Sequence, residues 1–505
     1  MTRASSPSSS QQWHCEYCEA EDYYIYQSGS HREGTFIRVY VPGSLSKPEA
    51  TNSNIPTPEL KSILYLHGFA LCMPEFYEDH LVKLVTEGYI VFFPDFQRSF
   101  YPNQLPKNCT NKDFPPQPNP AHLKTWISVA THNADSATPA TEIIPDLLSE
   151  FSTEQDAAKQ NPAEQNPAEQ NPAEQNNNVT GPHLSPGLKE VSAGELKRLA
   201  RTLVIIIAFL KVISLFRQEY GKNLIHLLST VALSLLHRPT EWLANTTHLA
   251  EEAWTHLAAQ ERYSHWTKDN LKTFAFGHSL GGLMALSLPF GLKATPNSAF
   301  FPKQIVTADP TPTTEQGIPK FAIAILKLRG TPFTSFPVEI KTTGPALTGP
   351  VAILHGGSDQ LVPPAQWFDA SHGQKSNYQH IASKQKAIYF SYSNTQKNPS
   401  LIAFHNQAVT STQYYGNGLF KHFGGVKNGP NAYNNNYIWP GVNQVFAGTV
   451  SPPNLLPHLD QSEFQIKEKP PKQSPKTSLT IAGIIGLLLL LGIAYWIWTS
   501  RYALT

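Results

Sequence analysis

The sequence predicts an α/β domain with a mostly parallel central sheet and helices on both faces. Short runs rich in Val, Ile and aromatic residues recur at Phe36–Val41, Ser62–Leu66, Tyr89–Phe93, Leu271–Phe276, Gln304–Ala308, Val351–Leu354 and Ala387–Tyr392, and read as strands. Between several of them lie helical patterns, such as Phe76–Glu87 and Trp242–Ala259, with apolar residues at three- to four-residue spacing. Strands that alternate with helices are joined by crossovers, and crossovers make parallel sheets covered on both sides. A Gly-x-Ser-x-Gly segment, Gly277–Gly281, lies between one of these strands and a helical run, Leu280–Leu288.

A chain of 505 residues exceeds a single ordinary core, but low-complexity and membrane-like stretches leave one catalytic domain of roughly 300 to 350 ordered residues. Residues 1–30 read as an N-terminal tail and 31–460 as the domain. The first thirty residues hold no apolar run long enough for a secretory signal. The four cysteines, Cys15, Cys18, Cys72 and Cys109, are too few and scattered for a disulfide scaffold, which favours a reducing compartment. Cys15 and Cys18 have half the spacing of a zinc site, with no second Cys/His pair to complete it. Net charge is +1 and only 15% of residues are charged, with no dense basic cluster, which excludes nucleic acid as an expected partner.

Residues 100–241 interrupt the strand–helix rhythm as an insertion before the Gly-x-Ser-x-Gly segment. Within it, 161–175 is a threefold NPAEQ repeat, whose proline every fifth residue forbids regular structure and predicts a disordered loop. Residues 196–240 follow as an apolar, cap-like helical region. Its runs Leu203–Phe216 and Ile225–Leu236 are each too short for a membrane span, so a cap or buried helices are preferred to in-plane membrane contact or a crossing. After a linker, 461–478, the uncharged stretch Leu479–Trp498 has the length and composition of a transmembrane helix, leaving a short tail, 499–505. Lys467, Lys469, Lys472 and Lys476 precede it and Arg501 alone follows, so the positive-inside bias puts the catalytic domain in the cytosol in a tail-anchored layout.

The chemistry concentrates at Gly277-His278-Ser279-Leu280-Gly281. A nucleophilic serine between a strand and a helix needs a sharp, strained turn, and Gly277 and Gly281 allow strand and helix to pass closely. The helix dipole and the Leu280 N–H point at the place where an oxyanion develops. A second donor is expected from the loop after Ser62–Leu66, in His67-Gly68-Phe69-Ala70, with Phe69 N–H the candidate and His67 bracing the loop. Asp359, in the glycine-containing turn after Val351–Leu354, is the expected acid, with Asp309 after Gln304–Ala308 as its rival. The order Ser, acid, His requires a base beyond Asp359. His405 follows the last core strand at loop distance; His422 is the alternative, ahead of His372, His380 and His458. Ligand spacing suggests no metal, and the chemistry needs no cofactor. The segment Tyr414–Gly448, rich in Gly, Asn and aromatics without clear periodicity, reads as irregular structure with a packing role.

HGF at 67–69, GYIVFFPDF at 88–96, GHSLGG at 277–282 and HGGSDQLVPP at 355–364 resemble the chlorophyllase, dienelactone hydrolase and polyester hydrolase branch of the α/β-hydrolase superfamily, over roughly Phe36 to His405. The resemblance implies an α/β-hydrolase fold and cleavage of carboxylic esters through an acyl-serine on Ser279. The long insertion, the segment after His405 and the C-terminal anchor depart from those families. A membrane anchor beside an apolar insertion favours an apolar or lipid-like ester. The same triad would also serve a thioesterase or peptidase, and the fold without activity would serve as a membrane-tethered binding module. Nothing in the sequence specifies an oligomeric state.

Overall fold

The computed structural model describes residues 12–46, 59–103, 221–318, 320–328, 330–370, 374–415 and 425–471. Their strands are β1 (Trp13–Cys18), β2 (Tyr23–Ser28), β3 (Ile37–Pro42), β4 (Leu60–Leu66), β5 (Ile90–Pro94), β6 (Leu271–His278), β7 (Ile305–Ala308), β8 (Val351–Gly356), β9 (Lys386–Ser391) and β10 (Ile466–Lys467). They form one sheet in the order β1-β2-β3-β5-β4-β6-β7-β8-β9-β10. From β5 to β9 neighbouring strands run parallel; β1, β2, β3 and β10 add antiparallel pairs at the two edges.

The inner strands are buried on both faces because their side chains alternate between two cores, as the twofold repeat of a strand dictates. In β4, Ile63 and Tyr65 enter one core and Leu64 and Leu66 the other; in β6, Phe274 and Phe276 oppose Leu271 and Ala275. Helices α1 (Glu78–Thr86) and, much later, α5 (Trp439–Phe446) supply Leu81, Leu84, Val442 and Val445 to the first core. The second core receives α3 (Pro239–Ala258) and α4 (Leu280–Gly291). Pro239 opens α3, and the Glu241 carboxylate reaches back to the Arg238 N–H, a start signal that leaves Trp242, Leu249, Ala253 and Trp254 on the inward face. Helix α4 is apolar around its whole circumference and is buried accordingly. This mixed sheet with helices on both faces fits an α/β-hydrolase fold.

Several expectations are corrected. Residues 13–28 are not tail: β1 and β2 extend the sheet, and β2 pairs along its whole length with β3. Ile25 and the tyrosines of β2 are themselves strand-favouring residues, and cross-strand packing holds them in the sheet. The front of the linker also joins the sheet, as Ile466 and Lys467 pair with β9. Within the described part of the segment after Tyr414, residues 432–446 are helical, with a π-turn at Asn434–Ile438 leading into α5. Its asparagines disfavour a helix, but burial of Tyr437, Ile438, Val442, Val445 and Phe446 overrides that preference. Cys18 is disulfide-bonded, whereas Cys15 and Cys72 are free; a disulfide is not what the expected reducing compartment favours.

Helix α2 (Gly221–Ser234) is the described end of the insertion, and Thr230, Val231 and Leu233 on it are buried. Among the described residues no helix is long and apolar enough to cross a membrane. The NPAEQ repeat, Leu203–Phe216 and Leu479–Trp498 lie outside the described residues. Because Ile25 in β2 is fully buried, Ile25→Ala is expected to cost about 2–5 kcal/mol and lower the melting temperature by several degrees. An unchanged thermal melt would mean that this strand is the dispensable tail its sequence suggests.

Candidate active site

β6 ends in a turn that no ordinary strand-to-helix junction adopts. Ser279 has φ 55° and ψ −116°, which costs a non-glycine residue about 1–3 kcal/mol. The turn closes only because its flanks lack side chains: a Cβ on Gly277 would lie 2.2 Å from the Gly281 carbonyl oxygen, and one on Gly281 2.2 Å from that of Leu66. Ser279 N–H donates to the Ala308 carbonyl at 2.9 Å, tying the elbow to β7. The Leu280 N–H, first in α4, has no partner among the described residues.

The loop after β4 leaves the sheet beside this turn. Its backbone groups are almost all committed: Gly68 N–H to the Tyr77 hydroxyl (2.8 Å), Ala70 N–H to Gln97 Oε1 (3.0 Å) and Leu71 N–H to Gly68 O (3.0 Å). The Ala70 carbonyl accepts from the Tyr101 hydroxyl at 2.6 Å, which holds Ala70 in a left-handed conformation at φ 55°. His67 donates from Nδ1 to Gly68 O at 2.9 Å and sets Nε2 3.5 Å from Asp95 Oδ1. Asp95 in turn accepts from His31 Nδ1 and the Ser99 hydroxyl. Phe69 N–H is left without a partner among the described residues, with its side chain 39% exposed.

Asp359 and His405 lie in the loops that follow β8 and β9. Asp359 Oδ1 accepts from the Leu361 and Val362 amides at 2.9 and 3.0 Å, which leaves Oδ2 for His405 Nδ1 at 2.7 Å. A carboxylate only accepts, so Nδ1 carries the proton and Nε2 presents its lone pair to Ser279 Oγ at 2.6 Å. The His405 loop is pinned to the acid loop by Ser358 N–H on the Ala403 carbonyl, and the Gln407 side chain accepts from the Ser391 hydroxyl. Burial pushes His405 down in pKa, but the charge and hydrogen bond of Asp359, aided by Asp309, outweigh it, and His405 sits above the ordinary histidine value.

Asp309 lies behind the acid: its Oδ1 accepts from Gly356 N–H at 2.6 Å and stands 3.2 Å from His355 Nδ1. The same nitrogen is 3.6 Å from Asp359 Oδ2. Burial lifts the Asp309 carboxyl above the usual range in spite of His355. His380 ends the short helix Asn377–His380, and His458 is exposed; His372 and His422 lie outside the described residues. His278 is buried between two partners, Tyr77 Oη at 2.9 Å from Nδ1 and the His405 carbonyl at 2.8 Å from Nε2, and burial lowers its pKa to about 3. No catalytic motif in the sequence marks Tyr77, Gln97, Tyr101 or His355. Only the position of Gln97 two residues past the Asp95 turn, and of His355 in a strand-end His-Gly pair, hinted at a supporting role.

No family model and no curated protein matches the chain. Among solved structures, acetyl xylan esterase 1 from Thermoanaerobacterium sp. JW/SL YS485 aligns over 76% of this chain and 81% of its own, at 10% identity and a TM-score of 0.30. A structure described under LipS and LipT, two metagenome-derived lipolytic enzymes, aligns over 36% of this chain and 70% of its own, at 12% identity and a TM-score of 0.20. Likenesses this distant carry no argument about the reaction, which rests on the geometry above.

Both Ser279→Gly and Ser279→Ala delete the hydroxyl, but only glycine tolerates φ 55° and ψ −116° without strain. Ser279→Gly is therefore expected to be the more stable of the two by about 1 kcal/mol in denaturant titration. Equal midpoints would argue against a strained elbow.

Proposed function

We propose that the chain is a serine hydrolase that cleaves carboxylic esters through an acyl-serine on Ser279. The observation that carries this reading is the unbroken chain from Ser279 Oγ to His405 Nε2 (2.6 Å) and from His405 Nδ1 to Asp359 Oδ2 (2.7 Å). The amides of Phe69 and Leu280, which have no partner among the described residues, follow the two paired strands β4 and β6. In the proposed cycle His405 Nε2 takes the Ser279 proton as Oγ bonds to the ester carbonyl carbon, and the two amides hold the oxyanion. The ester C–O bond breaks as His405 returns the proton to the departing alkoxide. Water repeats the attack, giving a proton to His405, and the acid leaves as Oγ recovers it. Asp359 keeps Nδ1 protonated and stabilises the imidazolium.

The choice of ester over thioester or peptide rests on the sequence resemblance, and the choice of an apolar acyl or alcohol group on the proposed membrane anchor and the exposed Phe69 ring beside the site. A silent binding module is disfavoured, because it has no need to hold a serine in a strained turn at hydrogen-bond distance from a base. A fluorophosphonate probe tests the reading. Wild type should be labelled and Ser279→Ala should not. Protonated His405 cannot accept the serine proton, so the labelling rate should rise with pH through an apparent pKa above the ordinary value of about 6.5. Equal labelling of the two proteins, or a rate flat across that range, would sink it.

We further propose that Leu479–Trp498 anchors the chain in a membrane. The four lysines before it favour a cytosolic domain, whereas the disulfide at Cys18 favours an oxidising compartment on the other side. Deleting 479–505 should move the protein from the membrane to the soluble fraction. In sealed vesicles of known orientation, protease access to the domain decides between the two sides.

A further inference from the structure

His278 fills the variable position of the Gly-x-Ser-x-Gly segment and takes no part in the proton transfers above, yet it is buried, polar and fully partnered. Its surroundings allow one arrangement of protons. The His405 carbonyl only accepts, so His278 Nε2 carries the hydrogen of the 2.8 Å bond. His278 is neutral, so Nδ1 is a bare acceptor and the Tyr77 hydroxyl must donate to it across 2.9 Å. The Tyr77 oxygen then has a lone pair free for the Gly68 N–H at 2.8 Å. Burial raises the pKa of the Tyr77 phenol, which keeps this donor protonated. The chain Gly68 N–H to Tyr77 O–H to His278 to the His405 carbonyl thus runs in one direction, with every hydrogen placed.

The two ends of this chain matter. Gly68 N–H belongs to the peptide just before the one that carries Phe69 N–H, and the His405 carbonyl belongs to the residue whose imidazole faces Ser279. Packing at the loop end is close: a Cβ on Gly68 would lie 2.8 Å from His278 Nδ1. The ring in the middle is the residue next to the nucleophile. We propose that Tyr77 and His278 are positioning residues, a hydrogen-bonded relay that sets the oxyanion loop and the backbone of the base against one common reference, the nucleophile elbow. The inference rests on the hydrolase reading of Ser279, His405 and Asp359, and extends it to two residues that touch no substrate.

The relay is tested with Tyr77→Phe, His278→Leu, the double variant and His278→Gln, the last because an amide still accepts at one atom and donates from another. Hydrolysis of a short p-nitrophenyl ester, fluorophosphonate labelling and thermal melting are measured on each. Misplacement of the hole and base should lower kcat about ten- to a hundredfold with KM within about twofold. The double variant should be no slower than the slower single, since either change breaks the same chain, and His278→Gln should recover most of the loss. Losses that multiply in the double variant, an unchanged kcat, or a His278→Gln no better than His278→Leu would overturn the relay. If His278→Leu fails to melt cooperatively, Tyr77→Phe and His278→Gln decide alone, a kcat loss in the first and near wild-type kcat in the second being required. Wild type that resists the probe overturns the hydrolase reading and the relay with it. Wild type that labels, beside variants that label equally fast, overturns the relay only.

Discussion

The site depends on the parallel ladder between β4 and β6. Leu60–Leu66 pairs residue for residue with Leu271–Gly277, two segments more than two hundred positions apart in the chain. Because Leu66 is level with Gly277, His67-Gly68-Phe69 and His278-Ser279-Leu280 leave the sheet side by side. A slip of one residue would exchange the two faces of β6, burying Phe274 and Phe276 in the wrong core. The hydrophobic pattern that selects the register is therefore also what brings the Phe69 and Leu280 amides to the same end of the sheet. The two glycines of the elbow then let α4 pass against the carbonyl of Leu66 without a side chain between them.

The next pair of ladders does the same for acid and base. β8 and β9 run in register from Val351 opposite Lys386 to Gly356 opposite Ser391, so the loop with Asp359 and the loop with His405 emerge together. Electrostatics then divides the histidines of the site. His405, beside Asp359, is biased toward accepting a proton, whereas His278, whose ring centroid is 5.4 Å away, is held neutral by burial with a carbonyl as its partner at Nε2. Two like side chains in contact take opposite roles because one faces a carboxylate and the other a carbonyl and a phenol.

Where the fold departs from local sequence signals, distant packing overrules them. β1 and β2 carry strand-favouring aromatics but only one branched aliphatic residue, Ile25, and they form because Tyr23, Ile25 and Tyr26 find partners across β3 and beneath it. Residues 434–446 are helical although their asparagines disfavour it, because Ile438, Val442 and Val445 meet the first core at helical spacing. The edge strand β10 is two residues long, too short to leave any pattern in composition.

The sequence alone determined the inner strands and the strand–turn–helix around Ser279, since a buried parallel strand and a glycine-flanked serine before an apolar helix are local patterns with few other readings. It also narrowed the acid to two aspartates and the base to histidines beyond Asp359. Only the tertiary structure decided that Asp359, rather than Asp309, lies against His405, and that His405 is the histidine at hydrogen-bond distance from Ser279. It alone brought Tyr77, Gln97 and Tyr101 to the loop they hold. The physical reason is range: periodicity and turn chemistry act within a few residues, whereas a hydrogen bond between groups 126 positions apart depends on strand register and loop packing that no short segment specifies.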